Sequence, residues 1–357
     1  MRGGLAASSV LLAGAASSVL FAGAVASVLF AGAGCEKAAP PRPVPAPVVA
    51  DAHPTAVIAA DAAPVADAAL PADMVVVWSP GDAPRSRVFR VAADGAVTDV
   101  ASGPGIVVVA DNVAYRFAEK QKQVTLIVCP HLAPPEGAPL PTADILAADL
   151  EQLGADTHRI LVPFPDTEGV ASIDHSISLD AQVGPYLFLT EGQEIYACGA
   201  HGNVLVRAKV ADVTASTAAP VLTKDERARV LATLGPVALK RLHDKGVADL
   251  GADADYTPDK VDLVSIEPSW ISGHLRVGVR FAADACYACG DGEWSSYTRS
   301  VVVPMKTLPR ALLPYATEPA AVTAIRRTHP DMVIGGYSLL SVPWTEIPGL
   351  TKALKPR

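Results

Sequence analysis

Leu275-Arg276-Val277-Gly278-Val279-Arg280-Phe281 alternates large apolar residues with charged or small ones, and this period of two decides the fold. Successive side chains of a strand point to opposite faces, so Leu275, Val277, Val279 and Phe281 share one face while Arg276 and Arg280 share the other. A sheet with one dry and one wet face is antiparallel in the main, because parallel sheets are covered on both sides. Asn203 to Val210 repeats the pattern, with Val204, Val206, Ala208 and Val210 expected inward and Arg207 and Lys209 outward.

Further strand signals lie upstream. Met74 to Trp78 and Ile106 to Ala110 are continuous apolar runs, as strands buried on both faces require. Arg87 to Val91 and Ala96 to Val100 flank Ala93-Asp94-Gly95, where Asp-Gly supplies the positive φ of a hairpin turn. Gln123 to Cys129 reads as another strand. Two stretches carry helix signals. Thr142-Ala143-Asp144 can cap a helix with Leu146, Leu150 and Leu153 on one face, stopped by Gly154. Thr223-Lys224-Asp225-Glu226 has capping-box spacing before Val230, Leu231 and Leu234; Gly235-Pro236 is expected to end that helix, with a second over Val237 to Lys245. The expectation is an α+β domain over residues 74–357, a largely antiparallel sheet with a few packed helices, including a β subdomain over 74–129.

The first 73 residues belong to another class. Leu5 to Gly34 carry no charge, follow Arg2 and are succeeded by Glu36 and Lys37, which is the layout of a signal peptide over residues 1–34. The apolar stretch is long because Ser8-Ser9-Val10-Leu11-Leu12-Ala13-Gly14 recurs at Ser17 and again, as Ala26-Ser27-Val28-Leu29-Phe30-Ala31-Gly32. It closes on Gly32-Ala33-Gly34-Cys35, which resembles the lipobox of bacterial lipoproteins, apart from Gly32 where Leu is usual. That resemblance implies lipidation of Cys35. Glu36 after the cysteine implies the outer membrane if the cell is Gram-negative. The alternatives are an uncleaved anchor, since about 20 apolar residues span a bilayer, and ordinary secretion. Residues 35–73, rich in Ala and Pro with hardly a large apolar side chain, cannot bury enough surface to fold and read as a disordered tether.

Charge excludes one class of partner. Lys and Arg total 29 against 37 Asp and Glu, a net −8 dispersed without runs, so no basic surface for nucleic acid is expected. With Cys35 acylated, Cys129, Cys198, Cys286 and Cys289 form an even set, which in an exported protein reads first as disulfides. Tyr196-Ala197-Cys198-Gly199 is echoed by Tyr287-Ala288-Cys289-Gly290, and the likeness of the two turns favours Cys198 with Cys289, leaving Cys129 with Cys286. A local Cys286 to Cys289 bridge is the competing arrangement. The alternative chemistry is zinc on Cys198, His201, Cys286 and Cys289, two ligand pairs with tetrahedral-site spacing.

Ser176-Ile177-Ser178-Leu179, Val183-Gly184-Pro185-Tyr186-Leu187 and Tyr196-Ala197-Cys198-Gly199-Ala200-His201-Gly202 resemble the extracytoplasmic domain shared by a lysozyme-sensing anti-sigma factor and certain peptidoglycan deacetylases. Trp294-Ser295-Ser296-Tyr297-Thr298-Arg299-Ser300-Val301-Val302-Val303-Pro304 is similar to that family's closing strand. The resemblance implies a fold and a cell-envelope setting; it carries over no activity and no lysozyme binding. His201 alone reads as a turn histidine. Asp249, Asp253, Asp255 and Asp259 lack the order of a calcium loop, and Asp166 and Glu168 sit too close together for paired acid catalysis. The sequence thus points to a membrane-anchored envelope lipoprotein that binds a wall or protein partner, with a zinc-dependent or wall-modifying enzyme as the alternative.

Overall fold

The computed structural model of the protein describes residues 73–130, 137–198, 202–215, 220–250, 258–284 and 298–357. Its strands, in chain order, begin with β1 (Asp73–Ser79), β2 (Arg85–Val91), β3 (Val97–Pro104), β4 (Ile106–Ala110) and β5 (Val113–Thr125). They continue with β6 (Thr142–Gln152), β7 (Thr157–Val162), β8 (Ser172–Val183), β9 (Tyr186–Tyr196) and β10 (Asn203–Asp212). After the helix α1 (Lys224–Leu250) come β11 (Asp262–Ile271), β12 (His274–Asp284) and β13 (Thr298–Pro304). The chain closes with α2 (Ala320–Thr328), β14 (Gly336–Leu340), the single-turn α3 (Leu350–Ala353) and β15 (Lys355–Pro356).

These strands make four sheets in which every pairing is antiparallel, an α+β architecture. The first has the order β14-β1-β2-β3-β15, so the strands nearest the N-terminus are flanked on both sides by the end of the chain. Both of its faces are covered. Val75, Val77, Phe89 and Val91 pack against Val322 and Ile325 of α2, while Val76 and Val88 pack against β4 and the C-terminal Trp344, Ile347 and Leu354. The apolar run of β1 is explained by that double coverage.

The second sheet, β4-β5-β6-β7, stacks on the third, β10-β9-β8, through Val108, Phe117, Leu150, Ile177, Leu187 and Leu189. The fourth, β11-β12-β13, carries α1 on one face through Val230, Ala238, Leu263, Val279 and Phe281. Leu275, Val277, Val279 and Phe281 are buried and Arg276 is exposed, as the alternation in β12 requires.

Three elements depart from the sequence reading. Residues 142–152 form the strand β6, not a helix: β6 pairs with β5 along its whole length and buries Ile145, Ala147, Ala148, Asp149 and Leu150 on its two faces. A helix would have turned only the leucine stripe inward. Pairing partners thus override a helical propensity of a few tenths of a kcal/mol per residue, and the buried Asp149 carboxylate is met by Lys120 of β5. Helix α1 runs through Gly235-Pro236 without a break. Pro236 costs it about 3 kcal/mol, offset by burial of Val230 before it and Ala238 and Leu242 after it. The strand expected over Gln123 to Cys129 stops at Thr125. Among the described residues no helix is long and apolar enough to cross a membrane.

Candidate functional site

The third and fourth sheets meet at one end and part at the other. Where they meet, Val183 and Phe188 pack against Leu275, Val277, Val221 and Leu312. Where they part, a cleft of about 860 Å³ opens between β8, β9 and β10 on one side and β11 with the start of α1 on the other. Such a volume falls within the range of ligand sites. Val204, Val206, Ala208 and Val210 line it. They share one face of β10 as the alternation predicts, but the face looks into the cleft: Val204 is 38% exposed and Val206 54%. The inward placement expected of these two valines is therefore corrected, because β10 is the last strand of its sheet and nothing described packs over its first half. Apolar residues on an unpaired edge are a liability for a protein unless they are used.

Two of the four register shifts among the described strands border the cleft. The register of β8 against β9 shifts between Leu179 and Ala181, and that of β11 against β12 between Leu263 and Ser265. Such bulges re-aim side chains. Asp180, beside the first shift, continues the exposed face of Ser176 and Ser178 and lines the cleft, where its carboxylate accepts the hydroxyls of Ser178 and Thr190, both at 2.6 Å. Across from it, Arg227 donates to the carbonyl of Leu263 at 3.0 Å. Arg280 is paired with Glu267 at 2.5 Å and also reaches Ser300 at 3.0 Å.

A second polar group lies on the opposite face of the third sheet, where His175, Glu191 and Gln193 are buried. His175 of β8 accepts the backbone N–H of Leu146 at Nδ1, 3.0 Å away, filling a place on β6 that β7 leaves unpaired. The ring proton is thereby placed on Nε2, which faces Oε1 of Glu191 at 3.4 Å. The same carboxylate accepts Gln193 Nε2 at 2.6 Å, and Lys209 stands 3.5 Å from its other oxygen. This set joins β6, β8, β9 and β10; Nε2 of His175 and Oε2 of Glu191 make no hydrogen bond among the described residues, so the buried carboxylate rests on Gln193 and on the nearby charge of Lys209. Sequence reading passed over it; the signal was His175 at an inward position in the alternating row Ile173, His175, Ile177, Leu179.

The cysteines are brought together differently from the favoured pairing. Cys198 is bonded to Cys129, with their Cα atoms 5.3 Å apart, and not to Cys289. Similar local turns proved a poor guide, because pairing depends on which chain segments meet. Ile127 donates to Val170 O and Ala171 donates to Tyr196 O, so the end of β5 and the end of β9 are tied to one connecting segment and arrive side by side. The zinc alternative loses Cys198, whose sulfur is committed to Cys129. His201, Cys286 and Cys289 lie outside the described residues, as do the signal peptide, Cys35 and the tether up to residue 72, while Asp73 already belongs to β1. Among the described residues no group of three or more His, Cys, Asp or Glu is placed to hold a metal. Asp166 accepts the backbone N–H of Glu168 at 3.0 Å, an exposed local turn.

Comparison of the chain with protein-family models, with curated proteins and with solved structures finds no match.

Proposed function

We propose that this protein is an exported lipoprotein, held at the cell envelope through Cys35, whose folded domain is a binding module with the cleft between the third and fourth sheets as its contact surface. The observation that carries the reading is the exposure of Val204 and Val206 on the free edge strand β10, where they line an open cleft instead of a core. The uncharged segment Leu5 to Gly34 ending at Cys35 supports the address, and the likeness of the motifs around Tyr196 and Tyr297 to an envelope-domain family supports the same setting.

Two measurements test it. Mass spectrometry of the protein from cells should show an acylated N-terminus that Cys35→Ser abolishes; an unacylated wild-type chain defeats the lipoprotein reading. A photo-crosslinking residue in place of Val206 should capture an envelope component, and one in place of the exposed Leu339 should not. Equal capture from both positions defeats the cleft as contact surface.

A further inference from the structure

The cleft presents three chemically distinct features at once. Val204, Val206, Ala208 and Val210 form an apolar row at alternate positions of β10. Asp180 on the β8 wall receives only hydroxyl groups, with no cation beside it among the described residues. Arg227 on the α1 wall donates only to a carbonyl, with no carboxylate beside it among the described residues. The other charges are already answered, Glu267 by Arg280 and Lys209 by Glu191.

An acyl chain would cover the valine row and leave both lone charges unmet. A simple anion or cation would meet one charge and none of the apolar surface. An extended peptide meets all three, because its side chains alternate at about 3.3 Å per residue, in step with a strand, and can carry both signs of charge. Among the described residues the bordering strands β10 and β11 are each the last of their sheet, an arrangement that suits strand addition. Resting on the cleft as contact surface, we infer that it takes an extended peptide segment of a partner protein, apolar at alternate positions, basic where it passes Asp180 and acidic where it passes Arg227.

The test presents the full-length protein in detergent with a bead-displayed library of random peptides. Enriched sequences should alternate apolar residues and carry Lys or Arg at one fixed place. Asp180→Asn should weaken an enriched peptide about fivefold, as loss of one exposed ion pair would. Asp180→Lys should switch the preference at that place to Asp or Glu. Asp180 is exposed, so the variants should keep the wild-type circular dichroism, and that is checked alongside. No enrichment, or enriched peptides indifferent to both Asp180→Asn and Arg227→Gln, overturns the inference. Palmitate serves as the second probe. If it binds, is lost in Val206→Asp, and no peptide enriches, the peptide class is wrong while the cleft stands. If peptides enrich but bind Val206→Asp unchanged, the cleft reading itself fails.

Discussion

The indole N–H of Trp78 donates to Oε1 of Gln182 at 2.9 Å, between two side chains fully withdrawn from solvent and 104 residues apart in the chain. The amide nitrogen of Gln182 in turn reaches Gly184 O, Tyr337 O and Ser338 Oγ at 3.0 to 3.2 Å, and Ser338 Oγ accepts the Val109 N–H. The side chains of Gln182 and Ser338 thus fasten β1, β4, β8 and β14 together.

Gln182→Ala leaves the buried Trp78 donor without its partner and takes a bond from the carbonyls of Gly184 and Tyr337. Each such group costs about 1–3 kcal/mol, so a loss of about 3 kcal/mol is expected in urea unfolding. Gly336→Ala should be at least as damaging, since its Cβ would lie 2.4 Å from both Trp78 Nε1 and Gln182 Cβ. A loss under about 0.5 kcal/mol in both would show that the network does not hold the sheets.

The Cys129–Cys198 bond closes a span of 69 residues. Chain-entropy reasoning gives it about 4 kcal/mol of stability, with about 2–4 the usual measured range. Reduction, or Cys129→Ala, should lower the denaturation midpoint accordingly. A peptide map of the oxidised protein should link Cys129 to Cys198; a Cys198 to Cys289 link would refute the pairing.

The capping box read from the sequence is formed reciprocally: Thr223 N–H donates to Glu226 Oε2 at 2.9 Å, and Glu226 N–H donates to Thr223 Oγ1 at 3.2 Å. The backbone N–H of Arg310 also donates to Glu226, and these bonds hold its carboxyl below the usual carboxylate range. Thr223→Ala should cost about 1 kcal/mol. Because the folded-state pKa is depressed, the contribution of Glu226 is present above its unfolded pKa and fades as pH falls through the folded one. The stability gap between wild type and Glu226→Gln should therefore close on acidification, which denaturant titrations across that range will measure. A gap that widens instead contradicts the assignment.

His175 Nδ1 accepts a backbone N–H, so nitrogen NMR should find its neutral ring protonated at Nε2. His175→Phe strands the Leu146 N–H and removes a partner of Glu191, at about 2–3 kcal/mol. In a double-mutant cycle with Glu191→Leu the pair should couple by more than about 0.5 kcal/mol. An Nδ1-protonated ring, or no coupling, would undo the account.

Much of the fold was legible wherever one residue's neighbours in sequence set its surroundings. The alternation in β12, the apolar runs of β1 and β4, the Asp94-Gly95 turn and the Thr223 cap depend on periods of two, or on bonds reaching three residues, and each is found in the structure. The valines of β10 were legible in part: the sequence determines that they share a face, since strand geometry alternates side chains regardless of context.

What covers that face is a different question, and only the tertiary structure decided it. The valines open to a cleft because β10 ended as an edge and the fourth sheet diverges from it. For the same reason β6 is a strand, Cys198 meets Cys129, and Gln182 meets Trp78. Each outcome depends on segments many residues away arriving at one place, and a local pattern carries no record of where distant chain will lie.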